Sequence, residues 1–175
     1  MLVTKLKTIG LLFVVLGLLV SNTTMANYRN NKEKASEFSL KDQFGTVYDY
    51  KFPREKVSIL AFGDKDGAEQ LENWIKPLVE KYDTKLDISG IAELSAVPSI
   101  ARGIVRSMIK KKSKFPVMLD WKGTVSKSYK YEKKLANIIV IDKDGTIIFK
   151  DTGEADKDKL DKLYKEIDKL LAEKK

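Results

Sequence analysis

Leu135-Ala-Asn-Ile-Ile-Val-Ile-Asp-Lys-Asp-Gly-Thr-Ile-Ile-Phe-Lys150 consists of two β-rich runs around an Asp-Lys-Asp-Gly turn. Asn137 to Ile141 is continuously apolar after its first residue, the pattern of a strand buried on both faces. Thr146 to Lys150 is β-branched and aromatic, and it makes a natural antiparallel partner. Asp144-Gly145 supplies the turn chemistry, because glycine tolerates the positive φ that tight hairpins demand.

Working back from this hairpin, the chain alternates strands with helices. Phe38 to Tyr48 has strand-like ends around Gly45, and Phe52-Pro53 closes that segment. Val57 to Phe62 reads as a central strand, broken by Gly63-Asp-Lys-Asp-Gly67. Leu71, Trp74, Ile75, Leu78, Val79 and Tyr82 recur at threes and fours, which predicts an amphipathic helix. Pro77 lies inside it and should kink the axis, since proline removes a helical hydrogen bond. Leu86 to Leu94 is a second buried strand. Pro98 opens a helix whose greasy face is Ile100, Ile104, Val105, Met108 and Ile109, running into Lys110-Lys-Lys. Phe115 to Leu119 is a third parallel-type strand, and Thr124 to Tyr131 a short helix. Beyond Gly153, Leu160, Leu163, Ile167, Leu170 and Leu171 share one side of a closing helix. The order predicts an α/β domain: a central mixed sheet flanked by helices, ending in a β-hairpin and a closing helix.

At 175 residues the chain fits one domain with a packed core. Residues 1–26 read as a cleaved signal peptide, with Lys5 and Lys7 ahead of an apolar Ile9 to Val20 and cleavage after Ala26. That apolar run falls short of the ~20 residues a bilayer span needs, so no stable transmembrane anchor remains after cleavage. Residues 27–36 are polar and aperiodic, a flexible lead-in, and 37–175 form the domain. The expected location is the periplasm. Without residues 1–26, which hold two lysines and no acid, the net charge falls from +8 to +6. Arg106 to Lys134 alone holds ten basic residues against Asp120 and Glu132. Such a stretch suits an anionic surface or an envelope protein as partner, and export excludes nucleic acid.

The chain has no cysteine and no histidine. Lipid attachment through cysteine, disulfides and thiol catalysis are therefore excluded, and the commonest general base and metal ligand is missing. Glycines sit singly at turns, so no phosphate loop is present. No cofactor is expected.

Phe38-Ser-Leu-Lys-Asp-Gln-Phe-Gly45 resembles the opening of redoxin domains, and Phe115-Pro-Val-Met-Leu-Asp120 with Gly123 and Tyr129 resembles their central strand and turn. Val105-Arg-Ser107, the Phe115-Pro116 after a basic helix and Ile138-Ile-Val-Ile-Asp-Lys-Asp-Gly145 narrow the likeness to YtfJ-type proteins. These are small exported members of the thioredoxin-like superfamily. The resemblance spans roughly residues 36 to 171 and implies a thioredoxin-like fold. It also implies where a redox site would lie: a nucleophilic cysteine in the loop after the central strand, here Gly63 to Gln70. The slot falls near Gly67, Glu69 or Glu72, and none carries sulfur. The cis-proline position, which helps expose backbone to a substrate, falls on Ala136-Asn137. Both departures point to a redox-inactive binding or accessory module.

Two candidate sites follow. Asp64, Asp66, Gly67, Glu69, Glu72, Ala136 and Asn137 outline the degenerate active-site loop, where carboxylates offer the alternative of a non-thiol enzyme. No metal is expected there, because acids ahead of a helix stabilise its positive end and Asp66 suits the cap. Trp121, Lys122, Lys127, Tyr129 and Lys130 form the candidate interaction patch, aromatic anchors among cations. Trp74, in register with a helix core face, is expected to be buried.

Overall fold

The computed structural model describes residues 33–173. The expected signal peptide, its cleavage site and the lead-in up to residue 32 lie outside the described residues.

Strands β1 (Phe38–Lys41) and β2 (Val47–Tyr50) pair antiparallel as a separate ribbon. The main sheet holds β3 (Val57–Gly63), β4 (Leu86–Glu93), β5 (Val117–Asp120), β6 (Asn137–Ile141) and β7 (Ile147–Thr152), in the order β5-β4-β3-β6-β7. β3 runs parallel to β4 and antiparallel to β6, β4 parallel to β5, and β6 antiparallel to β7. Between β3 and β4 lie helices α1 (Lys65–Gln70) and α2 (Glu72–Tyr82). Helix α3 (Arg102–Lys112) precedes β5, α4 (Thr124–Ser128) follows it, and α5 (Lys157–Ala172) closes the chain. The mixed central sheet, late strand pair and closing helix are as the sequence predicts.

Alternation along β3 and β6 feeds two cores. Val57, Ile59 and Ala61 with Ile138 and Val140 face α2 and α5, through Trp74, Leu78, Tyr82, Leu163 and Ile167. Leu60, Phe62, Ile139 and Ile141 face the other way, onto Tyr50, Ile91, Met118, Val125 and Tyr129. A period-2 strand between two apolar layers meets one of them at every position, which is why β3 and β6 are buried throughout. Trp74 is fully buried, and its indole Nε1 donates to Gly153 O at 2.8 Å. This bond ties α2 to the exit of β7.

The Asp142 turn is locked from within: its Oδ1 accepts from Asp144 N at 2.9 Å and Thr146 N at 2.7 Å, and Gly145 takes φ +83. Thr146 is consumed by this turn, so β7 begins one residue later than expected.

Three expectations are corrected. First, a break at Leu71 separates two helices, α1 and α2. Gly63 to Gln70, read as a loop, is mostly the helix α1. Second, α3 does not bury its greasy face: none of its residues is fully buried, Ile104 and Met108 are exposed, and only Val105 and Ile109 turn partly inward. Third, the expected flexible lead-in is docked at its end. Lys34 bridges to Thr146, Ala35 N donates to Gly145 O at 2.8 Å, and Ser36 O accepts from the Tyr129 hydroxyl at 2.6 Å. A chain paired with the hairpin gains backbone bonds that a free lead-in lacks.

Candidate functional site

The expected active-site crevice lies between the β3–α1 junction and the segment entering β6. Asp64 has extended backbone and accepts from Asp66 N at 3.1 Å and Gly67 N at 3.0 Å through Oδ1. It is therefore the N-cap of α1, correcting the assignment to Asp66. A short carboxylate one residue ahead of the helix reaches the second and third free N–H groups, whereas Asp66 lies already inside the first turn.

Asp64 Oδ2 reaches across the crevice and accepts from Lys134 N at 2.9 Å. Partial desolvation raises the Asp64 pKa, but hydrogen bonds from Gly67, Lys134, Tyr131 and Asp66 outweigh it and hold the carboxyl below its ordinary range. The Tyr131 hydroxyl accepts from Asp64 N at 2.8 Å, and burial pushes that phenol well above the tyrosine range.

Two further residues of α1 complete the closure. Gln70 Oε1 accepts from Ala136 N at 3.0 Å, and its Nε2 donates to Lys134 O at 3.0 Å. Gly67 is buried against the same segment: a Cβ there would lie 2.7 Å from Leu135 C and closer still to its carbonyl oxygen. No cysteine fits at Gly67, because the space for its first carbon is occupied by backbone. Asp64, Gly67 and Gln70 recur every three residues, so one face of α1 meets residues 134–136.

The facing wall is held as firmly. Lys134 has φ +65, a conformation that costs a side-chain-bearing residue roughly 1–2 kcal/mol. Its N–H and C=O are both gripped, by Asp64 and Gln70. Asn137, at the cis-proline position, donates Nδ2 to Glu132 O and Leu135 O, both at 2.9 Å, and accepts from Glu132 N through Oδ1. Ala136 O accepts from Gly153 N at 2.8 Å. The backbone at this position thus pairs with the chain's own groups.

The remaining carboxylates do not join the crevice. Asp66, Glu69 and Glu72 are exposed, and the described residues contain no group of three acidic side chains able to hold a metal. A cleft of about 440 Å³ lies elsewhere, at the start of β3 and β4, lined by Lys51, Pro53, Arg54, Glu55, Lys56, Leu86 and Asp87. Arg54 pairs there with Asp87 and stacks 4.4 Å from the Tyr50 ring centre. Burial pushes the Tyr50 hydroxyl up to about 12.

In the interaction patch, Lys122, Lys127 and Lys130 are exposed and Trp121 half-buried, with the Arg102 guanidinium 5.4 Å over the indole. Tyr129 is corrected out of the patch. It is buried between Phe38 and Phe62, with ring centres at 6.1 and 5.4 Å, and burial raises its pKa. The β1–β2 ribbon covers its ring.

Sequence reasoning missed Gln70, Tyr131 and the role of Lys134. The three-residue spacing of Asp64, Gly67 and Gln70 was the available signal, once this stretch is taken as helix.

Comparison with known proteins bears on both sites. A family model described as a bacterial protein of unknown function (YtfJ_HI0045) matches residues 80–170. The match takes in the Trp121 turn and Lys134 to Asn137, and leaves out Asp64 to Gln70. No curated protein matches the chain. Among solved structures, a candidate thiol:disulfide interchange protein DsbE from Chlorobium tepidum is 22% identical, with TM-score 0.61, covering 81% of this chain and 97% of that one. The pneumococcal exposed lipoprotein thioredoxin Etrx1 from Streptococcus pneumoniae is 17% identical at TM-score 0.60, covering 75% of this chain and 99% of its own. A thiol-disulfide oxidoreductase from Bacteroides fragilis is 21% identical at TM-score 0.59, covering 77% and 99%. The fold is thioredoxin-like.

Proposed function

The chain belongs to the YtfJ_HI0045 family of bacterial proteins of unknown function, and from this premise we propose that it is an exported, redox-inactive thioredoxin-like protein serving as a binding or accessory module in the cell envelope. The observation that carries the reading is the closed crevice. Thiol–disulfide exchange needs a thiolate attacking a disulfide held beside it. Here no thiol exists anywhere in the chain, Gly67 leaves no room for one, and Gln70 covers the backbone of residues 134–136. A fold freed of catalysis retains its surface, and function then resides in contacts.

Export is supported by the basic start and short apolar run of residues 1–26, and Etrx1 offers a fold relative named as exposed. The partner we propose is an anionic surface or envelope protein. All ten basic residues of Arg106 to Lys134 are exposed, and Trp121 offers an aromatic anchor among them. The purified chain should show no thiol-dependent reductase or peroxidase turnover above buffer, and should partition with the envelope on cell fractionation. Clear turnover in a sample free of contaminating enzymes, or recovery in the cytosol, overturns the reading.

A further inference from the structure

Helix α3 carries, beside the inward-facing Val105 and Ile109, a second apolar stripe that points away from the protein. Ile100 is 93% exposed, Ile104 67% and Met108 54%, and they recur at i, i+4 and i+8, so they form one outward stripe. Lys111 continues that stripe one turn on. Just beyond the helix Phe115 is 81% exposed, beside Lys114. Leu94 to Leu119 contains six basic residues (Arg102, Arg106, Lys110, Lys111, Lys112, Lys114) and no acidic one.

The element is built to hold this posture. Gln43 is fully buried and clamps the segment after α3: Nε2 donates to Phe115 O at 2.8 Å and Ser113 O at 3.3 Å, while Oε1 accepts from Val117 N at 2.7 Å. With its backbone fixed this way, Phe115 projects its ring into solvent. Phe44, half-exposed in the β1–β2 turn, lies 5.6 Å from Lys110 Nζ.

We propose that α3, with Ile100 and Phe115 at its two ends, docks the protein on an anionic lipid surface. The helix lies in the headgroup plane, Ile104 and Met108 enter the acyl boundary, and the five exposed cations, Arg106 to Lys114, meet lipid phosphates, while Arg102 stays over Trp121. Charge selects this occupant over a second copy of the chain, which would set six positive charges against six. A lipid surface also demands no matching shape, so single apolar side chains on a convex helix suffice. The proposal deepens the binding reading, on which its envelope setting rests.

The test exploits the lack of cysteine, which allows one polarity-sensitive fluorophore to be placed at Ile104→Cys in the full chain. The label reports α3 alone, so any association through Ile9 to Val20 does not register. With phosphatidylglycerol-containing vesicles its emission should shift to the blue, and with phosphatidylcholine vesicles it should not. Adding Arg106→Gln, Lys110→Gln and Lys111→Gln should weaken the transition about 100-fold, at roughly fivefold per cation. High salt should do the same. A label at Glu80→Cys on α2 should stay unshifted. Water-like emission from Ile104→Cys at every lipid concentration overturns the proposal, as does a shift indifferent to lipid charge. An equal shift with polyglutamate would assign the surface to an acidic polypeptide and also overturn it. Because the assay uses purified components, its failure leaves the envelope address standing, and mislocalisation in cells leaves the lipid result standing.

Discussion

Replacing Gly67 by alanine tests the crevice at its tightest point. On helix propensity alone the change is favourable, since alanine in place of glycine inside a helix contributes about 0.8–1 kcal/mol. The structure argues the opposite sign. The new Cβ would lie 2.7 Å from Leu135 C and 3.2 Å from Ala136 N, both backbone atoms that no rotamer change can move. Carbon atoms pack at about 3.5–4.0 Å, so α1 and residues 134–136 must separate by most of an ångström. That stretches the bonds of Lys134 N to Asp64 and of Gln70 to Lys134 O and Ala136 N, now at 2.9, 3.0 and 3.0 Å. Overpacking costs about 1–3 kcal/mol and each of the three bonds up to about 0.5–1.5, so the net loss after the propensity gain is at least about 2 kcal/mol. Gly103 in α3 is the control: nothing lies within 4 Å of its would-be Cβ, so Gly103→Ala should stabilise by up to about 1 kcal/mol. Urea unfolding followed by the fluorescence of buried Trp74 measures both. If Gly67→Ala is as stabilising as Gly103→Ala, the closed crevice is refuted.

Asp64→Asn keeps a capping side chain but loses the charge. A depressed carboxyl pKa contributes stability that is full above its unfolded value near 3.9 and is lost as pH falls through the folded value. The parent should therefore exceed the variant at neutral pH and converge with it in acid; a gap constant from pH 7 to pH 2 contradicts this. Asp168, also held low by Lys81, is present in both proteins and cancels. Gln43→Ala should cost about 1–3 kcal/mol in urea unfolding, because it leaves the Val117 N–H without a partner and strips one bond from Phe115 O, which keeps only that from the Ser113 hydroxyl; a loss below about 0.5 kcal/mol would mean the clamp is replaced by water. Tyr129→Phe should cost about 1 kcal/mol through its bond to Ser36 O, and should free residues 34–36 to rapid proteolysis. Unchanged proteolysis would show that the bonds of Lys34 and Ala35 to the hairpin hold residues 34–36 without that of Tyr129.

The hairpin of β6 and β7 was readable because two local signals agree, an unbroken apolar run and Asp-x-x-Gly turn chemistry. β3 was readable from its short apolar run ending at Gly63, and Trp74 because its helical register left one direction to point. The misreadings share a physical cause: each was decided by a distant partner. Tyr129 lies among lysines in sequence, yet Phe38 and Phe62 enclose it from far along the chain. Gln70 looks like an ordinary helical glutamine until Lys134 is brought against it. In α3 the periodic residues span a wider arc than the sheet covers. Val105 and Ile109 face inward and Ile104 and Met108 outward, a choice that periodicity alone does not make. The stretch Gly63 to Gln70 was read as a loop for its two glycines, yet it is mostly the helix α1, ending at Leu71, which presents Asp64, Gly67 and Gln70 to the crevice.

The closure of that crevice by the protein's own side chains is most directly tested by amide hydrogen exchange at Ala136. Its N–H lies just before β6 and is paired with Gln70 Oε1. The account predicts protection comparable to the β6 amides in the parent and its selective loss in Gln70→Ala, with β6 itself unaffected. Rapid, unprotected exchange at Ala136 in the native parent would mean that the backbone stands open to a substrate strand, and would contradict the account.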